Sequence, residues 1–513
     1  MIKLLSVDPS NYGDAPTEGI RRVLSIVRGE EVPRGTPLPK DNLEYVRMGT
    51  TVATNALLER KGAKHALLVT KGLRDLLEIG YQSRPRLFDL NIVKAEMLYS
   101  EVQEVEERVT IEGFDEDVFG VHKATHEIPG LLIKGSSGDM IRILTPIDEE
   151  AVRATLQSLR SRGFDTVAIC FAHSYIYPNH EVRAGELAVE EGFAHVSLSS
   201  TVAANMIKMV PRGSSASADA YLTPEIKKYL KGFVRGFEDG HLDDVKTDFM
   251  QSDGGLVGHK NFSGLKGILS GPAGGVVGFS RTSYVPEAGV PIVGLDMGGT
   301  STDVSRYGGI FEHVFETTTA GVTIQSPQLD INTVAAGGGS ILQWRNGLLT
   351  VGPESASSHP GPTCYRKGGP LAVTDANLFL GRLVPDFFPK IFGPNENEAL
   401  DTEAVQLRFV ELTKVINAET GKNMTPEEVA YGFLDVANEA MCRPIRALTE
   451  AKGYEIGKHN LAVFGGAGGQ HACDIASKLG ISKAIIHKYS SILSAYGILP
   501  HTTRVVATVA NLF

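Results

Sequence analysis

Glycine is concentrated in a few short loops of this sequence, and those loops constrain the fold more than any other feature. The chain contains 56 glycines, and the main clusters are GLDMGGTSTD (294–303), AAGGGS (335–340), HPGP (359–362) and FGGAGGQHA (464–472). Because glycine has no Cβ, its backbone can approach a ligand or another chain segment closely. Several clusters follow a short apolar run, which predicts strand-to-loop units and not a flexible linker.

The segments before these loops alternate between helical and strand patterns. EGIRRVLSIV and EEAVRATLQSLRSRG have the apolar spacing of amphipathic helices, whereas KHALLVT and DTVAICF are typical of strands. Further along, MTPEEVAYGFLDVANEAMCRPIRALTEAKG predicts one long helix or a helix pair. An alternation of this kind predicts an α/β fold.

The length of the chain predicts more than one domain. At 513 residues, with 42% hydrophobic and 21% charged residues, the sequence is too long for one ordinary core and too apolar to be disordered. A stretch of small residues, PRGSSASADAYLTP, suggests a boundary near residue 222. We therefore expect an N-terminal lobe at 1–222, a second lobe at 223–500 and a tail at 501–513.

Charge and composition argue against several partners. The formal net charge is -10 and there is no basic run, so we expect no nucleic-acid partner. No apolar stretch approaches the length of a membrane helix and the start lacks the core of a signal peptide, which predicts a cytosolic protein without a membrane partner. The four cysteines lie far apart, so we interpret them as buried thiols.

The first glycine loop, PIVGLDMGGTSTDV, has the residues needed to bind phosphate and a metal ion. An apolar strand ends on Asp296, and Asp303 stands on the returning strand. Carboxylate oxygens at this position can hold Mg²⁺, which shares its ligands with substrate phosphates. The expected phosphate contacts are Gly298, Gly299, Thr300 and Thr302. The alternative is a glycine-rich hairpin with an Asp-stabilised turn and no ligand.

Two later loops extend this prediction. FGGAGGQHAC runs from the strand NLAVF into a helix at about Gln470, so its helix N-terminus could face a nucleotide. A tight strand-to-helix connection without a ligand is the alternative. TVAAGGGSI suits either a phosphate contact or a hinge. The glycines concerned are Gly337, Gly338, Gly465, Gly466, Gly468 and Gly469.

The order of these loops and the strings around them resemble a known family. The strings are GTTVATNALLERKGAKHALLVTKGLRDLLEIGYQSRPRLFDL (49–90), MVPRGSSASADAYLTP, QSDGGL, LSGPAGG, LDMGGTSTDVS, HPGPTCYRKGGPLAVTDANLFLGR and FGGAGGQHAC. Together they resemble the hydantoinase A and 5-oxoprolinase family over nearly the whole chain. FAHSYIYPNHE and PIRALTEAKGYE are most similar to its eukaryotic oxoprolinase branch and its N-terminal, hydantoinase A-like half.

The resemblance implies a two-lobed actin-like ATPase fold of the RNase H-like, sugar kinase and Hsp70 superfamily. It implies ATP and Mg²⁺ as cofactors and the ATP-driven hydrolysis of 5-oxo-L-proline to L-glutamate, with phosphorylation of the amide oxygen as the first half-reaction. It also implies a hydantoinase B-like half or subunit as partner, and a homo-oligomer for full-length members. The alternatives are a hydantoinase or ketone carboxylase subunit, or a non-catalytic nucleotide-binding or relic protein.

Carried over residue by residue, the Asp296 to Asp303 segment matches a phosphate loop of the family, and Gly465 to Gly469 match its adenosine loop. Arg84 and Arg86 are candidates to bind the substrate carboxylate, with surface salt bridges as the alternative. Asp253 is a further substrate candidate, and capping of its own turn explains it equally well. Members begin with a strand and a first D-x-G-G-T-F-T-D loop, so we expect the fold to lack that unit and to bind nucleotide weakly. A truncated fragment and one subunit of a split protein stay open as alternatives, and so does the activity of the chain.

Overall fold

A computed structural model describes residues 12–41, 43–81, 94–113, 126–204, 206–319, 321–393 and 397–498, together with residues 4, 88, 90, 91 and 119. The helices are α1 (Ala15–Arg28), α2 (Val52–Leu58), α3 (Leu76–Ile79), α4 (Glu149–Ser161), α5 (Asn179–Glu190), α6 (Ser199–Val202), α7 (Met209–Arg235), α8 (Ser270–Ser283), α9 (Val373–Phe379), α10 (Thr402–Thr420), α11 (Pro426–Leu448), α12 (Ala472–Leu479) and α13 (Leu493–Gly497).

The strands fall into two groups along the chain. The first group is β1 (Tyr45–Met48), β2 (His65–Thr70), β3 (Glu101–Val105), β4 (Arg108–Ile111), β5 (Leu132–Lys134), β6 (Met140–Thr145), β7 (Thr166–Cys170), β8 (His195–Leu198), β9 (Lys246–Met250) and β10 (Leu256–Gly258). The second is β11 (Ile292–Met297), β12 (Thr302–Tyr307), β13 (His313–Thr319), β14 (Val322–Leu329), β15 (Ile331–Val334), β16 (Ser340–Arg345), β17 (Leu348–Ser355), β18 (Asn460–Phe464) and β19 (Ala484–Ile485).

The N-terminal part is built on a four-stranded parallel sheet in the order β3-β2-β7-β8. Every residue of β2 and of β7 is buried, as expected for parallel strands that are covered on both faces. Helices α4 and α5 cover one face, and α7 covers the other. A separate antiparallel sheet, β4-β6-β5, comes from the polar segment between β3 and α4.

The C-terminal part is built on a five-stranded mixed sheet in the order β15-β12-β11-β18-β19. Strands β11, β12 and β15 pair antiparallel, whereas β18 and β19 run parallel to β11. Alternate residues of β11 point to opposite faces. Val293 and Leu295 pack in the core that includes α9 to α12, and Ile292 packs in the core that includes α8 and α13. The sheet therefore has helices on both faces.

The α/β prediction is confirmed, and several elements lie where the patterns placed them. Helices α1 and α4 and strands β2 and β7 correspond to the four segments named above. The long helical pattern forms the single helix α11, which begins with a capping box between Thr425 and Glu428. Residue 222, the boundary expected from sequence, lies inside α7. The small residues that suggested the boundary belong to this helix and are mostly buried in the protein.

The cysteine prediction is wrong at one position. Cys170, Cys364 and Cys442 are buried, but Cys473 is exposed because it lies on the solvent-facing side of α12. Among the helices that the structure describes, none combines the length and the apolar character needed to cross a membrane. Residues 499–513, which include the predicted tail, lie outside the described residues, as do Arg84 and Arg86.

Candidate functional site

Two carboxylates face each other across the first glycine loop. Asp296 lies near the end of β11 and Asp303 near the start of β12, and the two are directly opposite in the antiparallel register. Side chains at opposite positions of such a pair have Cβ atoms about 5 Å apart. The turn between them closes with a hydrogen bond in which the Gly298 N–H donates to the Ser301 carbonyl at 3.0 Å. The hairpin therefore presents two carboxyl groups side by side.

The environment of this pair opposes ionisation. Burial, together with the charge of Asp303, raises the pKa of Asp296 to about 7, and burial raises the pKa of Asp303 to about 6. Hydroxyl groups are their hydrogen-bond partners: Ser494 Oγ donates to Asp296 Oδ2 at 2.9 Å, and Thr333 Oγ1 donates to Asp303 Oδ1 at 2.5 Å. Two carboxyl groups held together with neutral partners form a place for a cation.

Two further glycine loops converge on this hairpin. The Gly338 N–H donates to the Gly298 carbonyl at 3.0 Å, and the Gly339 N–H donates to the Gly299 carbonyl at 2.6 Å. From the third loop, the Ala467 N–H donates to the Met297 carbonyl at 3.0 Å. The backbone segments at 298–301, 337–339 and 465–468 are therefore joined directly by hydrogen bonds.

Side chains are excluded where these loops meet. A Cβ at Gly337 would lie 2.7 Å from the Gly299 carbonyl carbon. Gly465 has a φ of +85°, and a Cβ there would overlap Asp296 Oδ1. Glycine is therefore required at both positions, for close packing at the first and for both conformation and packing at the second.

A cavity of about 260 Å³ opens beside the loops. One side is glycine backbone, including Gly298, Gly299, Gly338 and Gly466, and a Cβ at Gly299 would meet no other atom within 4 Å. The rest of the lining is mostly apolar and aromatic. A lining that combines glycine backbone with apolar rings suits a ligand that has an anionic part and an aromatic part.

The predicted hydroxyl groups take different places. Thr300 lies on the exposed tip of the hairpin. Thr302 is buried, and its hydroxyl donates to the Ala336 carbonyl at 2.5 Å, so it joins the first two loops and is not available to a ligand. Gly469 is exposed, whereas Gly468 is buried and a Cβ there would lie 2.8 Å from Val463 Cγ1.

Of the three predicted substrate residues, the structure describes one, Asp253. Asp253 Oδ1 accepts a hydrogen bond from the Gly255 N–H at 2.8 Å, so the carboxylate caps its own turn between β9 and β10. Arg84 and Arg86 lie outside the described residues, and their role stays a prediction.

Three hydroxyl residues of the site were missed by the sequence analysis. Ser494 and Thr333 bind the two carboxylates, and Thr374 donates from both its N–H and its hydroxyl to the Gly338 carbonyl, each at 2.8 Å. Ser494 is 198 residues from Asp296 in the chain. Only the fold brings it near Asp296.

Comparison with known proteins settles the family. A model described as "Hydantoinase/oxoprolinase" matches residues 212–504, and a model of the "Hydantoinase/oxoprolinase N-terminal region" matches residues 1–192. The chain belongs to the hydantoinase/oxoprolinase family. The resemblance inferred from the motif strings is thereby confirmed.

Similar proteins include a 5-oxoprolinase from Saccharomyces cerevisiae, 59% identical over 97% of this chain. The chain spans only 38% of the length of that relative. A crystal structure of an ATP-dependent caprolactamase from Pseudomonas jessenii has a TM-score of 0.70 at 28% identity, over 96% of this chain and 66% of the other. A nucleotide-free structure of acetone carboxylase has a TM-score of 0.72 at 21% identity, over 96% and 65%, and shares the fold.

Proposed function

We propose that this chain is the ATP-binding half of an ATP-dependent cyclic-amide hydrolase that acts on 5-oxo-L-proline. The observation that carries the proposal is the pair Asp296 and Asp303 at the point where three glycine loops meet beside a cavity. The 5-oxoprolinase relative, which is 59% identical, supports the choice of substrate. Hydrolysis of 5-oxoproline by the whole protein would need the remaining length of that relative.

The finer fold assignment is part of this proposal. We infer that the five-stranded sheet is the core of an actin-like ATPase lobe. Three consecutive antiparallel strands, β11, β12 and β15, are followed by two strands parallel to the first, and helices cover both faces. In this assignment the β11–β12 hairpin is the phosphate loop, and the strand-to-helix loop after β18 is the adenosine loop. Residue 222 in α7 remains the proposed boundary between the two lobes.

The two carboxylates fit a divalent cation such as Mg²⁺. Their raised pKa values indicate that negative charge is poorly compensated there, and a cation would provide the missing compensation. No group of three or more potential metal-ligating side chains occurs among the described residues. That suits Mg²⁺, which takes few protein ligands and completes its shell with phosphate oxygens and water. Asp296 would hold the ion, with Asp303 as its neighbour.

The glycine loops would position the phosphates for transfer. Backbone N–H groups at the hairpin tip bind phosphate oxygens without a side chain in the way. In the first half-reaction the amide oxygen of 5-oxoproline takes the γ-phosphoryl group and ADP leaves. Water then adds to the activated ring carbon and the C–N bond opens to give γ-glutamyl phosphate. A second water hydrolyses this acyl phosphate to L-glutamate and phosphate. Positioning and charge compensation by the site supply the catalysis of the transfer step.

A second substrate class has specific support. The structure of the ATP-dependent caprolactamase, at 28% identity, covers 96% of this chain. A larger lactam would undergo the same activation of its amide oxygen, and the difference would lie in the residues that bind the ring. Arg84 and Arg86 are the proposed ligands for a substrate carboxylate, which 5-oxoproline has and caprolactam lacks.

The proposal is tested by calorimetric titration with Mg·ATP. Wild-type chain is expected to bind Mg·ATP, and Asp296→Ala is expected to weaken binding at least tenfold because the cation loses its main protein ligand. Asp139→Ala is the matched control, since Asp139 is an exposed carboxylate on the loop before β6. Equal affinity in all three proteins, or no binding by the wild type at millimolar nucleotide, would contradict the proposal.

A further inference from the structure

The apolar end of the cavity is built from aromatic rings. The ring centroids of Tyr365 and Phe392 are 4.3 Å apart with an interplanar angle of 32°, and those of Phe388 and Phe392 are 5.8 Å apart at 24°. Leu383 and Ile391 complete this wall. Phe392 is only 2% exposed, because the other two rings pack against it. The partly buried rings of Tyr365 and Phe388 are therefore the surfaces on which another flat ring can stack.

One polar side chain at this cavity lacks a partner. Gln470 lines the cavity, and its carboxamide oxygen Oε1 is buried without a hydrogen bond. A buried acceptor left unpaired destabilises the folded chain. Rotation of the carboxamide towards the cavity would relieve that cost if a ligand offered a donor there.

The main chain of Gln470 is held firmly in place. Its N–H donates to the Ala467 carbonyl at 3.3 Å, and its carbonyl accepts from Arg382 Nη1 at 3.4 Å. The same Arg382 atom contacts Asp474 Oδ2 at 2.6 Å. The Gln470 side chain therefore projects from a backbone held by hydrogen bonds, and it can change position only by rotation about its χ angles.

The residue after Gln470 reinforces this support. His471 is fully buried, and its ring lies between Asn438 Oδ1 at 2.7 Å from Nδ1 and Asn377 Nδ2 at 3.0 Å from Nε2. Burial lowers the pKa of His471 to about 4, so the ring is neutral at physiological pH. The ring therefore donates to Asn438 through Nδ1 and accepts from Asn377 through Nε2.

We propose that Gln470 recognises the base of the nucleotide, and that the site selects a purine with an amino group at C6. This inference rests on the proposed function. The base stacks against the wall of Tyr365, Phe388 and Phe392, and its exocyclic amine donates to Gln470 Oε1. A purine with a carbonyl oxygen at C6 offers no donor at that atom, so the buried oxygen stays unpaired or meets a second acceptor.

The test compares Mg·ATP with Mg·ITP, which differ in that inosine has a carbonyl at C6 and a proton on N1. Wild-type chain is expected to bind ATP about tenfold more tightly than ITP, as measured by calorimetry. In Gln470→Leu the affinity for ATP falls and the ratio approaches one. Gln470→Glu keeps an acceptor of the same shape and is expected to keep the preference. Phe388→Ala removes stacking surface and is expected to weaken both nucleotides by the same factor.

The results distinguish base recognition by Gln470 from nucleotide binding by the chain. Equal binding of ATP and ITP by the wild type, or an unchanged ratio in Gln470→Leu, overturns the role of Gln470 and leaves nucleotide binding intact. Failure of the wild type to bind either nucleotide overturns the proposed function and this inference together. Circular dichroism of each variant shows whether it is folded, and Gln470→Met, which also removes the acceptor, provides the result if Gln470→Leu does not fold.

Discussion

At the scale of single residues, the site holds two acids in a state that favours their neutral forms. The pKa values of Asp296 and Asp303, about 7 and about 6, both exceed the ordinary value of 3.8. A raised folded-state pKa means that ionisation costs the folded chain free energy. The protonated carboxyl groups therefore contribute fully to the stability of the folded chain below pH 4. That contribution is lost as pH rises through 6 and 7. A bound divalent cation reverses that loss.

We predict that Asp296→Asn stabilises the chain in the absence of divalent cations. At pH 8 the variant should unfold with a free energy about 2 kcal/mol higher than the wild type, and the advantage should shrink as pH falls towards 4. Mg²⁺ should raise the melting temperature of the wild type at pH 8 and leave the variant nearly unchanged. Thermal unfolding across pH measures both effects, with Asp139→Asn as control. A variant no more stable than the wild type at pH 8 would disprove the charge argument.

At the scale of elements, helix packing determines where Ser494 lies. Helices α8 and α13 cross closely because glycine stands at their contact. A Cβ at Gly274 would lie 2.7 Å from the Ser494 carbonyl, and one at Gly278 would lie 3.1 Å from Leu493 Cγ and press on the Leu493 carbonyl. The close crossing allows Ser494 on α13 to reach Asp296 on β11. The hydrogen bond from Ser494 to the Asp296 carboxylate thus depends on the close packing of α8 and α13.

Gly278→Ala is expected to destabilise the chain by about 1–3 kcal/mol, because the added methyl forces the helices apart. The matched control is Gly232→Ala in α7, an exposed helical position where a Cβ meets nothing within 4 Å. That control should stabilise by about 0.5–1 kcal/mol, since alanine favours the helix. Urea denaturation measures both. The first variant should also bind Mg·ATP more weakly, and a loss of stability without any change in affinity would show that Ser494 does not support the site.

Local patterns predicted elements well and contacts between them poorly. Strand β11, the glycine turn and strand β12 follow from the apolar run and the Gly-Gly pair, and the pairing of Asp296 with Asp303 follows from the hairpin. The partners of those carboxylates depend on α13 and β15, whose positions no local pattern determines. Thr302 shows the same limit. Its spacing suggested a ligand contact, but the alternation of β12 turns it inward to the Ala336 carbonyl.

At the scale of the whole molecule, the N-terminal and C-terminal parts are joined through more than the chain. Helix α7 packs on β7 and β8 and also contacts β14, where Ser215 Oγ accepts from the Gln325 N–H at 2.7 Å. Arg47 next to β9 also reaches the Ile498 carbonyl at 3.4 Å, close to α13. The N-terminal and C-terminal parts are therefore in contact at two places, α7 with β14 and β1 with the residue after α13.

The length of the chain relative to similar proteins bears on whether it can complete the reaction alone. The chain spans 38% of the length of the 5-oxoprolinase relative. We therefore expect nucleotide binding and complete hydrolysis to be separable. We predict that the chain alone releases little phosphate from ATP in the presence of 5-oxoproline. Addition of a hydantoinase B-like half should raise the release at least tenfold, because opening of the ring removes the activated intermediate.

Coupled assays of ADP, phosphate and glutamate measure this prediction, with the three products expected in equal amounts. Asp296→Ala in the assembled protein should abolish all three, whereas Asp139→Ala should leave them unchanged. Caprolactam in place of 5-oxoproline tests the second substrate class under the same conditions. Full turnover by the isolated chain would contradict the prediction that complete hydrolysis needs the hydantoinase B-like half. Formation of ADP without glutamate in the assembled protein would mean that phosphate transfer and ring opening are not coupled on 5-oxoproline. Another cyclic amide would then be the better substrate candidate.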